Sequence, residues 1–400
     1  LHSLRRRQRQ MCIRDRRRLS RELIFIMVFT YQLVTGVVSL SVPIYASFMG
    51  ASLLLVGIIG SVGGLIYSFM PLISGILCDR FGRKLFISSS LLLYGTSCGL
   101  YILSNKPSML IPVKILEWIS VAIFWPAVES YIAGSYSRGL GDALKRFNIS
   151  WGLAMTVAPL LGGLLINQVS IVAPFFTSML LSLALWILSM LIIEEPAGHR
   201  RGYEHESVEL KMTTRHDGLA IILILITIFL SSSVVGILVS IFPSYATRIG
   251  ISALEIGVVI FASQISRVIT FYFASRIEAR IGRAGMFLLG PLAFGAASVM
   301  MIQSNNTSSF FLCFLAFGFA SGICYTTALT SILERSSSSR GLAAGAFESL
   351  GGIGYFLGPL IGGMLYEVSS KAPYTYTLCL SLTIFLVHLR YKGRVTQRSP

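Results

Sequence analysis

One long uncharged stretch constrains this chain most, because residues 23–78 contain no charged side chain. A bilayer core needs about 20 apolar residues for each helical crossing, so this stretch predicts two membrane spans. The break between them falls near Gly50. Over the whole chain 54% of residues are hydrophobic and 12% are charged, against roughly 25% charged in ordinary soluble domains. With a mean hydropathy of +0.74, the chain is expected to have lipid as its solvent.

Apolar runs separated by polar turns predict an all-α integral membrane protein with twelve spans. The first run is too long for a secretory signal peptide, and no small-residue cleavage site follows it, so we interpret it as span 1. The predicted spans are 22–48, 52–78, 85–104, 108–135, 145–168, 172–193, 218–246, 253–279, 285–303, 308–333, 341–367 and 373–390.

The basic residues of the connections predict the orientation of the spans, since Lys and Arg accumulate on the cytoplasmic side. Nineteen lie on one side and three, Lys106, Arg248 and Lys371, on the other. Both termini are therefore expected in the cytoplasm, which requires an even number of spans. The nineteen are Arg80, Arg83, Lys84, Arg138, Lys145, Arg146, Arg200, Arg201, Lys211, Arg215, Arg276, Arg280, Arg283, Arg335, Arg340, Arg390, Lys392, Arg394 and Arg398.

Two halves of the chain repeat each other at an offset of 200 residues. The matches include Arg80 with Arg280, Gly82 with Gly282, Pro159 with Pro359, and Gly162-Gly163 with Gly362-Gly363. Parallel six-helix repeats are typical of transporters in which two bundles rock around a central site. We predict a basic arm at 1–20, bundles at 21–194 and 218–391, a cytoplasmic linker at 195–217 and a tail at 392–400.

The net charge of +16 does not indicate a nucleic-acid partner, because nine of the 33 basic residues lie in the first 21 positions. We interpret residues 1–20 as a disordered cytoplasmic arm, and the stretch 11–16 resembles sequence of non-native origin. The six cysteines show no paired spacing, and the five histidines lie in tails, the central loop or a helix end. No metal and no cofactor are expected.

The connection between spans 2 and 3 carries the most specific motif. It runs Gly75-Ile-Leu-Cys-Asp79-Arg80-Phe-Gly82-Arg83-Lys84 and resembles the signature loop of the major facilitator superfamily. The resemblance implies that Asp79 meets the positive N-terminus of a helix in the other half, with Arg83 and Glu129 completing a cytoplasmic latch. The alternative interpretation is that the charged residues of this loop only set the orientation of the spans in the membrane. The repeat copy has Ala279 in place of the aspartate, so Asp79 is expected to lead the latch.

Spans 5 and 11 carry matching glycine and proline patterns that predict close packing and a bend. The span 5 version resembles a motif of the superfamily's antiporters, although Ala158 replaces its usual glycine and the pattern recurs in span 11. It favours efflux over uptake only slightly. The hinge and packing residues are Pro159, Gly162, Gly163, Gly358, Pro359, Gly362 and Gly363.

Charges inside the spans are the main functional candidates, because a buried charge in lipid is costly without a partner or a cavity. Lys114 and Glu117 lie on one face of span 4 and resemble the family's helix 4 arginine and glutamine, which are linked there to proton coupling. Both residue types depart from the family pattern, and a structural ion pair is the alternative. Arg267 and Glu348 are the remaining charges at membrane depth. A structural role is the alternative to a binding role for both residues, and Glu348 is also a candidate for the cytoplasmic gate.

Polar and aromatic residues of the spans are expected to line a central cavity, although aromatic belts at the membrane interfaces would explain several of them. The candidates are Tyr31, Gln32, Trp118, Trp125, Asn148, Trp151, Gln264, Tyr325 and Tyr355.

The leading functional hypothesis is a monomeric secondary transporter of the cell membrane that exports amphipathic or organic small molecules in exchange for protons. Its partners would be the solute, protons and the lipid bilayer. Because no P-loop is present, the energy is expected to come from a gradient rather than from a nucleotide. The alternatives are an uptake symporter, or an organic-anion exchanger that uses Lys114 and Arg267. A membrane enzyme would need clustered His, Asp or Glu at one membrane face, and a channel would need a repeated pore segment. The sequence shows neither pattern, so these two classes are remote alternatives.

Overall fold

The computed structural model describes residues 2–136, 139–195, 215–335 and 340–391, and the regular structure in these ranges is helical. A short 3-10 helix, Pro107–Met109, precedes the fourth α-helix. The α-helices are α1 His2–Phe48, α2 Leu53–Phe81, α3 Arg83–Leu103, α4 Leu110–Ser135, α5 Leu140–Gln168, α6 Ala173–Ile192, α7 Arg215–Arg248, α8 Ala253–Gln303, α9 Thr307–Arg335, α10 Arg340–Tyr366 and α11 Ala372–Arg390.

The prediction of an all-α membrane fold is confirmed. Ten helices in the described part of the chain are long and apolar enough to cross a membrane. The longest, α8, covers the predicted spans 8 and 9 and is broken at Gly282, whose φ is 71° and ψ is 167°. With α8 counted twice, these helices give eleven crossings, and the 27-residue α10 corresponds to a further predicted span, so the described helices are consistent with twelve crossings.

The sequence repeat extends to the backbone at the helix ends. Gly50 and Gly250 have φ values of 82° and 86° and turn the chain before α2 and α8. Ser52 then accepts a hydrogen bond from the N–H of Leu55 at 3.1 Å, and Ser252 accepts one from Glu255 at 3.3 Å. These side chains satisfy N–H groups that a helix start leaves without a partner.

The helices form two groups according to their contacts. In the first half α1 packs on α5 and α6, and α4 packs on α2 and α3; in the second half α8 packs on α9 and α11, and α7 packs on α10. Across the halves, α2 contacts α10, and α5 contacts α8. On this basis we propose the division into bundles at 21–194 and 218–391, called here the N bundle (α1–α6) and the C bundle (α7–α11).

The helices end at two opposite faces, called here the terminal face and the distal face. The terminal face is where α2 ends at Phe81, α3 begins at Arg83 and α11 ends at Arg390. The distal face is the opposite end, where α1 ends at Phe48 and α11 begins at Ala372. Each short connection between antiparallel helices lies at one of these two faces.

The basic arm differs from its expected disorder, because residues 2–20 continue α1 as helix. Arginine is a good helix former, and extending an existing helix avoids the unfavourable nucleation step. Most of the predicted linker, residues 196–214, and the tail 392–400 lie outside the described residues.

Candidate functional site

Close backbone contacts join the two bundles towards the distal face. A Cβ atom on Gly57 of α2 would lie 2.5 Å from the carbonyl oxygen of Pro359 in α10 and 3.0 Å from the Cα of Gly363. At the repeat-related position, a Cβ on Gly257 would collide with the carbonyl oxygen of Pro159 in α5. Only glycine allows two helices to approach this closely. The paired contacts leave no passage for a solute between these helices.

The predicted packing glycines divide between two kinds of interface. Gly163 and Gly363 face the other bundle, where added Cβ atoms would meet the backbones of Ala253 and Leu53. Gly162 packs against Val37 and Leu40 of α1. The remaining members, Gly358 and Gly362, face α7 of their own bundle at Ser233, Ile237 and Ile241. Each adjacent glycine pair therefore serves one contact within a bundle and one between bundles.

Hydrogen bonds between the bundles, in the described part of the chain, also lie at the distal face. The hydroxyl of Ser47 donates to the carbonyl of Ser244 at 3.3 Å, and the N–H of Leu54 donates to Glu367 at 3.4 Å. Arg248 donates to the carbonyl of Ala51. The structure thus has a closed distal face.

The signature loop at the terminal face makes its contacts within the N bundle. The Nε of Arg83 donates to the hydroxyl of Ser130 at 2.8 Å, and that hydroxyl donates to Asp79 at 3.4 Å. Lys84 reaches the carbonyl of Met190 at 2.8 Å, while Arg80 lies over the Phe81 ring. A Cβ on Gly75 would meet open space.

Glu195, in the connection after α6, is a further loop contact that the sequence did not single out. Its carboxylate accepts hydrogen bonds from the backbone N–H groups of Arg83 at 3.0 Å and Lys84 at 2.9 Å. A carboxylate at the start of α3 satisfies free N–H groups and faces the positive end of the helix dipole. The cap residue Gly82 has no side chain to do this. Glu195 therefore ties the signature loop to the start of the central connection.

The repeat copy of the loop is bound by carboxylates. The Nε of Arg283 donates to Glu278 at 2.6 Å, and its terminal nitrogens donate to Glu334 at 2.5 and 3.2 Å. Arg83 and Arg283 thus both anchor the turn that follows the second helix of their bundle. Arg283 does so through charged partners, and Arg83 through a hydroxyl.

Lys114 and Glu117 form a buried ion pair in the N bundle. The Nζ of Lys114 lies 2.9 and 3.0 Å from the two oxygens of Glu117, and the hydroxyl of Tyr101 donates to Glu117 at 2.6 Å. The two residues are 5% and 2% exposed. Lys114 also lies 5.9 Å from the ring centroid of Trp118. All of these partners belong to the N bundle, so the pair is saturated and enclosed.

A cavity of about 50 Å³ lies between the bundles, with room for a few water molecules. It is lined by polar, aromatic and charged side chains, most of them from the C bundle. The lining residues are Tyr67, Ile228, Ser231, Ser232, Val235, Arg267, Ser321, Tyr325, Phe347, Glu348, Gly351, Gly352 and Tyr355. Arg267, Tyr325, Glu348 and Tyr355 were predicted from the sequence as functional candidates, whereas Tyr67 and the serines were not.

Arg267 is held against the cavity wall by aromatic rings. Its guanidinium lies 5.1 Å from the ring centroid of Tyr325 and 5.4 Å from that of Phe271, and it interacts with the hydroxyl of Tyr355. Its Nε is buried without a hydrogen-bond partner. Ring faces attract cations, so much of this charge is already engaged by the protein.

Glu129 of α4 and Glu348 of α10 lie on opposite bundles and interact electrostatically. Both side chains are exposed, and both lie within about two turns of the terminal-face ends of their helices. Glu129 also interacts electrostatically with Tyr67 of the cavity. The structure thus places Glu129 on the cavity side of α4, whereas its neighbour Ser130 meets Arg83.

Other predicted lining residues lie away from this cavity. Trp118 packs against Gly63 and Tyr67, and Trp151 packs against the hydrophobic core. Asn148 is exposed and Gln264 half-buried. Among the aromatic candidates, Tyr31 is fully buried and stacks on Phe124 at 3.8 Å between ring centroids.

Comparisons with known proteins agree with this architecture. The sequence is 24% identical over 381 residues to an uncharacterized MFS-type transporter of Methanocaldococcus jannaschii, covering 91% of this chain and 96% of that one. It is 26% identical over 344 residues to the multidrug efflux protein YfmO of Bacillus subtilis, covering 85% of each. The fold is similar to a crystal structure of the nucleoside transporter NupG, with a TM-score of 0.77, 14% identity and coverage of 95% and 100%.

The sequence profile of the Major Facilitator Superfamily matches residues 24–283 and 224–399, which together span most of the chain. The match confirms the resemblance that the signature loop indicated. The relatives are multi-pass membrane transporters rather than enzymes. This chain therefore belongs to the Major Facilitator Superfamily of membrane transporters.

Proposed function

We propose that this transporter exports amphipathic organic solutes from the cytoplasm in exchange for protons, with its terminal face on the cytoplasmic side of the cell membrane. The observation that carries the proposal is the cavity between the bundles. It is sealed towards the distal face by the glycine contacts of Gly57 and Gly257. Towards the terminal face it is flanked by the exposed carboxylates of Glu129 and Glu348.

The lining suits solutes that are partly apolar. Tyr67, Tyr325 and Tyr355 present ring surface, and Ser231 and Ser232 add hydroxyls. Binding sites for small organic molecules combine such apolar walls with a few polar groups. The present cavity is small, so a drug-sized solute requires the bundles to move apart at the terminal face. The likeness to a multidrug efflux protein supports the export direction.

The cytoplasmic position of the terminal face rests on the distribution of basic residues, nineteen against three. In that orientation the structure is closed to the outside. The proposed latch of Asp79, Arg83 and Glu129 would then form when the terminal face closes, and the contacts of Arg83 and Asp79 with Ser130 belong to the state described here.

Two pairs of residues are candidates for proton exchange. A coupling carboxylate must meet water from both sides in turn, because a proton enters from one side and leaves on the other. Glu129 and Glu348 are exposed beside the cavity, whereas Glu117 is enclosed by Lys114 and Tyr101. We therefore favour Glu129 and Glu348. The coupling role of Glu117 stays a prediction, since it requires the pair to open in another state.

Proteoliposomes that contain purified protein and a trapped pH dye provide the test. Solutes that raise the melting temperature of the protein are applied while an inside-acidic pH gradient is imposed. We expect solute to accumulate in these vesicles while protons leave, and protein-free vesicles to show neither. Solute flux that does not depend on the gradient would exclude proton coupling and leave transport itself intact.

The same vesicles separate the two candidate pairs. Glu348→Gln or Glu129→Gln should retain downhill exchange and lose gradient-driven accumulation if the cavity carboxylates couple transport. If instead only Glu117→Gln has this effect, the assignment to the cavity is wrong and the buried pair is the coupling element.

A further inference from the structure

We propose that an anionic phospholipid binds in the seam between α5 and α8, in the half of the molecule towards the terminal face, and favours the state in which this face is open. The internal repeat relates this seam to the one between α2 and α10, and the two seams differ in how far they are closed. The site takes a lipid of the membrane rather than the solute, so it depends neither on the direction of transport nor on proton coupling.

The seam between α2 and α10 stays closed well beyond the distal face. A Cβ on Gly64 of α2 would collide with the backbone nitrogen of Phe356 in α10. Nearer the terminal face, a Cβ on Gly352 of α10 would lie 2.9 Å from the Cα and the nitrogen of Ser68. Small residues at such positions allow the backbones of two helices to touch. This contact leaves no room for an acyl chain between α2 and α10.

The equivalent seam between α5 and α8 is open at the same level. Gly152 of α5 corresponds to Gly352 in the repeat, yet a Cβ on it would meet nothing within 4 Å. Val268 of α8, which corresponds to Ser68, is 41% exposed. Towards the distal face the same two helices touch at Gly257. The gap between α5 and α8 therefore closes at its distal end and is open towards the terminal face.

The sequence accounts for this difference between the seams. Where α2 has Gly64 and Ser68 at its contact with α10, α8 has Gln264 and Val268 at the corresponding positions. The larger side chains prevent the close backbone approach that small residues permit. The open seam is thus encoded in the residues of α8.

The gap, called here the wedge, is lined by Ile149, Gly152 and Leu153 of α5 and by Val268 of α8. The side chains of Ile149, Leu153 and Val268 are exposed on the outer surface of the helices. An empty space between apolar side chains loses the dispersion contacts of its lining. Inside a bilayer the available filling is hydrocarbon, and a lipid acyl chain matches this lining.

Two basic residues stand at the terminal-face end of the wedge. Lys145 lies within about two turns of the start of α5, and Arg276 lies within about two turns of the break in α8 at Gly282. Both are exposed, and in the described part of the chain neither forms a salt bridge. The neighbouring Arg146, by contrast, is paired with Glu22. The mouth of the wedge therefore carries two positive charges that the protein does not neutralise.

These charges lie on the helix sides that line the wedge. Lys145 and Gly152 are seven residues apart, and Val268, Tyr272 and Arg276 follow at intervals of four, so each set forms a stripe along its helix. Tyr272 is 70% exposed, and the guanidinium of Arg276 lies 5.6 Å from its ring centroid. Tyrosine is enriched at the membrane interface, at the level of the headgroups. The mouth of the wedge thus lies where lipid phosphates are found.

An anionic phospholipid fits both parts of this site. Its phosphate would accept hydrogen bonds from Lys145 and Arg276, and one acyl chain would lie against Gly152 and Val268. Charge-assisted hydrogen bonds from a guanidinium to phosphate are among the strong ones, and basic pockets between membrane helices bind anionic headgroups.

The repeat provides an internal comparison for the two charges. At the offset of 200 residues, Lys145 corresponds to Gly345, and Arg276 corresponds to Ile76. The seam between α2 and α10 thus lacks both the gap and the basic residues. Charges that only set topology would not need to coincide with the open seam, so their position favours a ligand in the wedge.

A bound lipid would bias the equilibrium between the two states of the transporter. Closure of the terminal face brings α5 against α8 and removes the wedge. A ligand that binds one of two states stabilises that state by mass action. The content of anionic lipid in the membrane would therefore regulate how readily the terminal face closes.

Quenching of a fluorophore beside the wedge by brominated lipids tests the proposal. Full-length protein with Leu153→Cys, and with Cys12→Ser and Cys379→Ser to remove other reactive thiols, is labelled with bimane and placed in phosphatidylcholine nanodiscs. Brominated phosphatidylglycerol or brominated phosphatidylcholine is then added in increasing fractions. We expect phosphatidylglycerol to quench with at least fivefold higher apparent affinity. Equal affinities of the two lipids would overturn the proposal.

The repeat supplies the matched position for this label. Ile353 of α10 corresponds to Leu153 and is also exposed, but it lies beside the closed seam. A bimane label on Ile353→Cys should show no preference for phosphatidylglycerol. A preference of equal size at both positions would show that the lipid is attracted by the protein as a whole, and would contradict a site in the wedge.

Charge variants test the basic residues at the mouth. Lys145→Gln/Arg276→Gln should abolish the preference for phosphatidylglycerol at Leu153. Lys106→Gln/Lys371→Gln removes two exposed basic residues of the distal face and should leave the preference unchanged. A preference that survives Lys145→Gln/Arg276→Gln would contradict the assignment of the headgroup.

The regulatory effect is measured as a distance across the terminal face. Spin labels on Asp142→Cys and Ala279→Cys should show at least a twofold larger long-distance population in phosphatidylglycerol than in phosphatidylcholine nanodiscs. Lys145→Gln/Arg276→Gln should remove this difference. Lipid binding without any change in the distances would reject the regulation. No pH gradient is applied in these measurements, so they are independent of whether the protein exports solutes.

Discussion

Gly57 of α2 and Gly363 of α10 lie in backbone contact across the two bundles, so that a Cβ atom on Gly57 would approach the Cα of Gly363 to 3.0 Å. The internal repeat provides the matching contact of Gly257 with Pro159 and Gly163. Both contacts lie towards the distal face. Opening that face requires these helices to separate, and the glycines determine how tightly it closes.

Gly57→Ala should therefore shift the protein towards a state with an open distal face. The new methyl group would lie 2.5 Å from the carbonyl oxygen of Pro359, and a backbone atom cannot move aside cheaply. Overpacking of this kind costs about 1–3 kcal/mol, which favours the open state by about five- to 150-fold. Spin labels at Lys106 and Asn305, both exposed in distal-face connections, should report longer distances.

Gly152→Ala is the matched control, because Gly152 lies inside α5 and a Cβ there meets nothing within 4 Å. Alanine is favoured over glycine within a helix by about 1 kcal/mol. This variant should keep the distance distribution of the unmodified protein. A shift of equal size in both variants would show that the effect does not come from the contact between the bundles.

The Lys114–Glu117 pair should behave as one unit in stability. Lys114→Met leaves a buried carboxylate with only Tyr101 as a partner, and loss of one member of a buried pair costs about 3–5 kcal/mol. The double variant Lys114→Met/Glu117→Gln leaves no charge and should lose less than the single variant. Unfolding in mixed detergent micelles measures both. If the loss of the double variant equalled the sum of the losses of Lys114→Met and Glu117→Gln alone, the two residues would not act as a pair.

Glu195 should stabilise the signature loop through the two backbone N–H groups it binds. Removal of a capping group costs about 0.5–2 kcal/mol, so Glu195→Ala should lower the unfolding free energy by about 1 kcal/mol. Hydrogen exchange should accelerate at Arg83 and Lys84 and not at the start of α8, where Ser252 and Glu255 form a separate cap. Unchanged exchange at Arg83 would contradict the role of Glu195.

The orientation can be tested by labelling single cysteines from one side of the membrane. Cysteines introduced at Lys106 and at Asp142 should react from opposite sides, because basic residues place the first outside and the second in the cytoplasm. Labelling of both from the same side would contradict the predicted topology.

Hydropathy and turn residues were sufficient to predict the helices. The uncharged stretch 23–78 separates into α1 and α2 at the predicted break near Gly50, and the backbone turn at Gly250 extends the sequence repeat to a position that was not among its predicted matches. The arm at 2–20 was expected to be disordered and is helical in the structure. Charge composition alone does not distinguish a helical extension from a disordered segment.

The cavity was only partly predictable, since lipid and protein neighbours are both apolar and hydropathy does not fix how a helix is rotated. Glu129 was therefore expected beside Arg83, although its neighbour Ser130 takes that position. Tyr67 and the serines carry no charge that would identify them. Glu195, which binds the signature loop, is distant in sequence from Arg83, and no motif around it indicated this contact.

The central claim is that the two bundles alternate around this cavity, closing one face as the other opens. Two distances in the same protein test it most directly: one across the distal face, between labels at Lys106 and Asn305, and one across the terminal face, between labels at Asp142 and Ala279. With Gly57→Ala, or on addition of a transported solute, we predict that one distance lengthens while the other shortens. Distances that change in the same direction, or a distal distance that changes alone, would contradict alternating access in this protein.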